Sequence, residues 1–187
     1  MTRPAGGADA TPTRGLVVFM TGLSGAGKST IAEALATTLR ADGHRVTIVD
    51  GDALRRRQSA DLGYDPASRD TNVRRAAELA AELAADGEIV VSALMAPFER
   101  ARREARAIIE PAARFLLVHV DTPLAVAEAR DPKGLYKRAR AGEIRDFTGI
   151  DSPFEPPSDP DLVIDTTTTP VPEAVALILA VLGPVGS

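Results

Sequence analysis

Five short apolar runs are spaced along the chain: Gly15–Met20 (GLVVFM), Arg45–Val49 (RVTIV), Glu88–Ala93 (EIVVSA), Phe115–Val120 (FLLVHV) and the shorter Leu162–Ile164. Each is nearly continuous in β-branched or aliphatic residues rather than alternating. That is the pattern of strands buried on both faces. Between them, Ser29–Ala41, Asn72–Ala85 and Phe98–Ile109 place apolar residues or alanine at helical spacing, and Val171–Leu182 predicts a closing helix. Strand and helix in alternation predict βαβ units, right-handed crossovers and a parallel sheet.

Two stretches break the rhythm. Asp50–Thr71 is polar, carries four arginines and shows no strong period; Ala127–Pro160 is charged and then rich in Gly and Pro. Insertions of this kind in a compact α/β domain are usually functional loops or lids. The 187 residues suit one domain with one sizeable core, expected over 15–187, preceded by a flexible tail over 1–14. Met1–Arg14 lacks the apolar core of a signal peptide, and no apolar run reaches the roughly 18 residues of a membrane span, so a cytoplasmic location without membrane partners is expected. The absence of cysteine excludes disulfides and thiolate metal sites. The net charge of −4 argues against a general nucleic-acid partner.

The chemistry begins directly after the first strand. Gly22-Leu23-Ser24-Gly25-Ala26-Gly27-Lys28-Ser29, followed by Thr30, fits GxxxxGK[ST] and opens a helix, which is the context that motif needs. Its glycines let successive N–H groups turn inward onto phosphate oxygens, and the helix N-terminus adds partial positive charge. Lys28 can reach the outer phosphates and the Ser29 hydroxyl can ligate Mg²⁺. A glycine-rich turn without a ligand is the bland alternative. The motif says that a nucleotide phosphate binds, not what becomes of it.

The second strand ends in Asp50-Gly51-Asp52. Ligands of open parallel sheets lie at the carboxyl ends of the strands, so these carboxylates face the same crevice as the first loop. Asp52 can accept a proton from a hydroxyl or hold Mg²⁺ through water; the competing reading is a solvated turn. Six arginines follow, at 55, 56, 57, 69, 74 and 75. Guanidinium forks suit phosphate or sulfate, yet a solvated helical face is the better reading for most of them, and the sequence does not say which turn inward.

With these residues in view, the chain resembles the adenylylsulfate kinase family, which phosphorylates the 3′-hydroxyl of adenosine 5′-phosphosulfate. The resemblance rests on GLSGAGKST at Gly22–Thr30, DGD at Asp50–Asp52, Arg55, DLGY at Asp61–Tyr64, Arg69 and Asn72–Arg75. It continues through DTPL at Asp121–Leu124, the long run from Ala129 to Ile144 and FTGIDSPFEPP from Phe147. It implies a three-layer α/β P-loop kinase fold, a five-stranded parallel sheet flanked by helices with a lid insertion. It also implies ATP and Mg²⁺ as cofactors, a small-molecule nucleotide substrate and a homodimer. By the same resemblance, Asp52 is the base and, with Ser29, the metal-linked group, and Lys28 is catalytic. Arg130 lies near the ATP base. Arg55, Arg69 and Asn72 hold the acceptor's phosphosulfate and ribose, Phe147 and Tyr64 flank its adenine, and Lys133 and Leu135 belong to the lid over the nucleotides. Core packing is the alternative for both rings.

The chain departs from the family pattern where Ala53 follows DGD in place of Asn, where Arg56-Arg57 replaces a common His-Gly pair, in Asp65 after the aromatic, and where Ala96 precedes Pro97 in place of Ser. Without a hydroxyl at position 96 no phosphorylated serine can form there, so direct in-line transfer is implied. These changes leave two alternatives open: a kinase of the same build acting on a related nucleotide or small hydroxylated metabolite, and a non-catalytic nucleotide-binding module. His44 and His119 carry no assigned role.

Overall fold

The computed structural model describes residues 15–58 and 61–184; the tail expected over 1–14 lies outside them. Five strands form one parallel sheet: β1 (Gly15–Thr21), β2 (Val46–Asp50), β3 (Ile89–Ala93), β4 (Ala113–Asp121) and β5 (Leu162–Asp165), in the order β2-β3-β1-β4-β5. The order changes direction at β1, where β1 pairs with β3 on one side and β4 on the other. The crevice of a doubly wound sheet opens at such a switch point, and here the loop leaving β1 is the glycine-rich one.

Alternate residues of β1 feed two separate cores. Leu16, Val18 and Met20 pack with Ile31, Leu35 and Leu39 of α1 (Lys28–Ala41) and with Ala174 and Ile178 of α7 (Val171–Leu182). Val17 and Phe19 pack on the other face with Val73, Ala77 and Ala80 of α3 (Pro66–Ala85) and Ala101, Ala105 and Ile109 of α4 (Glu99–Ile109). The three-layer α/β arrangement is the expected one. The buried stripe of α3 is mostly alanine, so the helix lies close on the sheet. A Cβ at Gly15 would sit 2.0 Å from the Ala84 carbonyl oxygen.

The segments that broke the apolar rhythm contain more helix than their polarity suggests. α2 (Gly51–Gln58) follows β2 without a loop, because the Asp50 carboxylate accepts from the backbone N–H groups of Asp52 and Ala53, both at 3.0 Å. α3 starts at Pro66 rather than near Asn72. Asp65 caps it by accepting from Ser68 N at 3.0 Å, and proline at the first turn is preorganised for a helix. The lid insertion carries α5 (Leu124–Arg130) and α6 (Leu135–Arg140). Asp131 joins them, its carboxylate accepting from Tyr136 N at 3.1 Å and Lys137 N at 3.0 Å. No helix among the described residues is long and apolar enough to cross a membrane.

Candidate active site

Two cavities open at the carboxyl end of the sheet and meet at Gly51 and Asp52. The first, about 600 Å³, is lined by the loop from Ser24 through Ser29 and Thr30, by Asp50 and Asp52, and by Arg130 and Lys133 from the lid. The second, about 540 Å³, lies over α2 and α3 and is lined by Asp52, Arg55, Tyr64, Arg69 and Asn72, with Leu135 and Phe147 from the lid. Gly22 and Leu23 do not line either one. Their carbonyl oxygens accept from Lys28 Nζ at 2.8 and 2.7 Å, which folds the lysine over the loop. Gly22 is required sterically, because at φ 152° a Cβ would lie 2.3 Å from the Val120 carbonyl oxygen.

The glycine-rich loop delivers an open helix end. Gly27, the residue before α1, has a left-handed backbone and supplies no side-chain cap, and the first turn of α1 has no acidic residue. The unpaired N–H groups and the positive pole of α1 therefore face the 600 Å³ cavity, a ready anion site. Burial lowers the Lys28 ammonium to about 8, with Asp52 acting in the opposite direction. An anion placed beside it would restore its charge.

The sequence reading sets Asp52 beside Ser29 as the metal-holding pair; the carboxylate that Ser29 touches is that of Asp50. Ser29 Oγ donates to Asp50 Oδ2 at 3.0 Å. Asp52 lies farther on, in the first turn of α2, where it pairs with Lys133 at the junction of the cavities. The cause is the cap: Asp50 turns back over the start of α2 and so stays near the end of the strand, against Ser29. Among the described residues no group of three or more His, Cys, Asp or Glu side chains could hold a metal. A hydroxyl and a carboxylate beside a phosphate cradle do fit a hard divalent cation that completes its shell with phosphate oxygens and water.

The structure also sorts the six arginines. Arg74 pairs with Glu104 at 2.9 Å and Arg75 with Asp61 at 2.8 Å, while Arg56 and Arg57 are exposed and line neither cavity. Arg55 and Arg69 face the second cavity. Arg55 donates to the carbonyls of Leu62 and Gly63 and lies 4.7 Å from the Tyr64 ring; Arg69 is 5.8 Å from the same ring. Arg69 is buried, and its hydrogen-bond acceptors are Tyr64 O at 2.7 Å, Asp146 O at 2.6 Å and the Met95 sulfur at 3.5 Å. None is a carboxylate. Burial, then the neighbouring Arg55, lowers its pKa from the ordinary guanidinium value. Asp146 and Asp151 offset only part of this, and a cation disfavoured by burial gains from an anion placed beside it. Beside it the buried Asn72 leaves its Oδ1 unpartnered among the described residues.

Phe147 lies between core and cavity. It belongs to the core, 4% exposed and edge-on to Tyr136 with ring centroids 5.0 Å apart, and it also forms a wall of the second cavity. Tyr64 is 54% exposed and lines the same cavity. Several contributors were not singled out from sequence. Tyr136 ties the lid to the loop through its hydroxyl, which donates to Ser24 O at 2.9 Å, and burial pushes that phenol up to about 12. Thr166, just past β5, accepts from Arg130 at 3.0 Å; its place at a strand's carboxyl end was the available signal. Among the described residues the non-glycine positive φ angles fall at Ala96, Asp131 and Asp146, all bordering the cavities or their lid. Backbone strain of this kind clusters at functional sites.

The model of the adenylylsulphate kinase family matches residues 14–165. The chain belongs to that family. An adenylyl-sulfate kinase of Paraburkholderia xenovorans is 51% identical over 173 residues, covering 92% of this chain and 96% of that protein. The solved structure of a Mycobacterium tuberculosis APS kinase in complex with AMPPNP and APS is 42% identical with a TM-score of 0.88, covering 91% of this chain and 99% of that one. A gluconokinase of Sinorhizobium meliloti, 22% identical with a TM-score of 0.55 over 91% of this chain and 92% of its own, shares the fold. The adenylylsulphate kinases and their structural neighbours thus place the chain among the P-loop kinases.

Proposed function

We propose that the chain transfers the γ-phosphoryl group of ATP to the 3′-hydroxyl of adenosine 5′-phosphosulfate, giving ADP and 3′-phosphoadenosine 5′-phosphosulfate. The observation that carries the reading is the meeting of two cavities at Asp52. One has the anion-binding end of α1, the other the buried Arg69, whose hydrogen bonds go to carbonyls and a sulfur rather than to a carboxylate. In this reading the triphosphate lies along Gly25–Ser29 with Lys28 against its outer oxygens. The acceptor adenine sits between Phe147 and Tyr64, and Arg55, Arg69 and Asn72 hold its anionic end and ribose.

Asp52 orients the 3′-hydroxyl and accepts its proton as the new O–P bond forms and the bond from Pγ to the ADP oxygen breaks. Positioning and charge stabilisation do most of the work. Mg²⁺, held by Ser29 with Asp50 or Asp52 and the phosphate oxygens, would supply charge neutralisation at the transferring group. The lid excludes water, which otherwise competes as acceptor. A homodimer and a cytoplasmic location complete the proposal; sedimentation of the purified protein tests the first.

Among the departures from the family pattern, Arg56 and Arg57 line neither cavity, and Ala53 lines neither. Asp65 and Ala96 do border the acceptor cavity, so an altered acceptor would have to be read by those two. Coupled ADP release with and without adenosine 5′-phosphosulfate, with the product weighed by mass spectrometry, decides. Strong stimulation and a 3′-phosphorylated product support the proposal; no stimulation in a protein that still binds ATP moves the search to acceptors that differ where Asp65 and Ala96 would touch them.

A further inference from the structure

Arg102, on α4, lines neither cavity, yet it is the largest fully buried side chain of the described residues. Burying a guanidinium requires compensation, and what compensates this one is informative. Nη1 donates to Ala96 O at 2.7 Å, and Nη2 donates to Glu155 O at 2.7 Å and to Glu99 Oε2 at 2.6 Å. Nε has no acceptor among the described residues. The guanidinium thus bridges two backbone carbonyls from different parts of the site while the Glu99 carboxylate balances its charge.

Those two carbonyls matter for what they belong to. Ala96 forms the wall of the acceptor cavity and sits at φ 41°, a left-handed conformation that a non-glycine residue adopts only when its surroundings enforce it. Glu155 lies at the far end of the lid insertion. It is stitched to the same place by its own N–H, which donates to Pro97 O at 2.8 Å, and by its carboxylate, which accepts from Glu99 N at 2.7 Å. Thr21 Oγ1, at the end of β1, lies 2.6 Å from Met95 O and 3.2 Å from Ala96 O. One buried cation therefore clamps the acceptor wall to the base of the lid, beside the strand that carries the phosphate loop.

We propose that Arg102 is a positioning residue that sets acceptor affinity and lid placement by holding Ala96 in its left-handed conformation and fixing Glu155 against it. The inference rests on the acceptor reading of the second cavity. It predicts a selective defect: a residue that only stabilised the fold would weaken both substrates together or neither.

The test is steady-state kinetics with adenosine 5′-phosphosulfate, binding of a non-hydrolysable ATP analogue and thermal melting, on the wild-type chain, Arg102→Lys and Arg102→Met. Arg102→Lys keeps the charge but not the fork, and it decides the matter if Arg102→Met does not fold. The acceptor KM should rise about tenfold or more in Arg102→Lys, with analogue affinity within about twofold of wild type, the scale expected when a positioning contact is lost. Adding Ala96→Gly, which allows the positive φ without enforcement, should recover part of that loss. An acceptor KM that stays at the wild-type value, equal losses for both substrates, or a double variant no better than Arg102→Lys alone would overturn the proposal. If the wild-type chain itself shows no stimulation by adenosine 5′-phosphosulfate, it is the proposed function that fails.

Discussion

Lys133, in the turn between α5 and α6, forms an ion pair with Asp52, in the first turn of α2, so that a lid lysine sits on the carboxylate at the junction of the two cavities. Both side chains are about half exposed, 50% and 52%. Exposed pairs are screened and contribute only ~0–1 kcal/mol to stability. Breaking this one costs the fold little and frees Asp52. Lys133→Ala should therefore lower the melting temperature by no more than a few degrees, on the order of the shift that such an energy gives, while turnover falls clearly. A large loss of stability with activity retained would remove Lys133 from the site.

Asp52→Ala should cut turnover by about 100-fold or more, the usual scale for loss of a general base, while the ATP analogue still binds. Single-turnover measurements separate chemistry from product release. A variant with near-normal turnover would take the proton-accepting role away from Asp52.

Lys28 gives a pH dependence whose sign is fixed by its depressed pKa of about 8. Below that value the ammonium is charged with or without nucleotide. Above it the free protein has lost the proton, and binding phosphate must recover it, so nucleotide affinity should fall as pH rises through about 8. Titration calorimetry in two buffers of different ionisation enthalpy should show uptake approaching ~1 proton per nucleotide about one pH unit above the pKa. Stability of the free protein runs the other way. Because the unfolded lysine keeps its proton to higher pH, this group's contribution to stability rises with pH above about 8. Uptake that stays at zero across this range would show that Lys28 does not titrate there.

Two glycines separate fold from function. Gly15→Ala places a Cβ 2.0 Å from the Ala84 carbonyl oxygen in the last turn of α3, at the other end of β1 from the phosphate loop. It should cost roughly 1–3 kcal/mol of stability as an overpacked contact and leave KM for ATP unchanged in the folded fraction. Gly22→Ala places a Cβ 2.3 Å from the Val120 carbonyl oxygen in the loop that holds Lys28. It should weaken nucleotide binding. Denaturant unfolding and analogue titration on both variants check the contrast.

The strands were legible because burial on both faces leaves a continuous apolar run, as in Val17–Met20 and Val90–Val91, and the phosphate loop because its signal is local. α2 was not, since only Leu54 among its described side chains is buried and the helix is started by the Asp50 carboxylate rather than by any period. The true start of α3 was available in Asp65-Pro66-Ala67-Ser68, a capping sequence, but the apolar stripe begins only at Val73. The inward arginines could not be read, because their facing depends on how α3 lies on the sheet: Arg69 and Asn72 fall on the buried side, while Arg74 reaches Glu104 of α4. Arg102 was hidden for the same reason. It sits among other arginines of α4, and only the packing of the segment after the lid makes it different.

The two cavities share Ser24, Gly51, Asp52 and Met95 in their walls, so they lie side by side with one end on each side of Asp52. A single molecule carrying two adenosines joined through a phosphate chain could fill both ends, losing its freedom of motion once rather than twice. Such a tethered compound should bind far more tightly than either half, and the chain length that binds best would measure, in solution, how far apart this protein holds its two nucleotides.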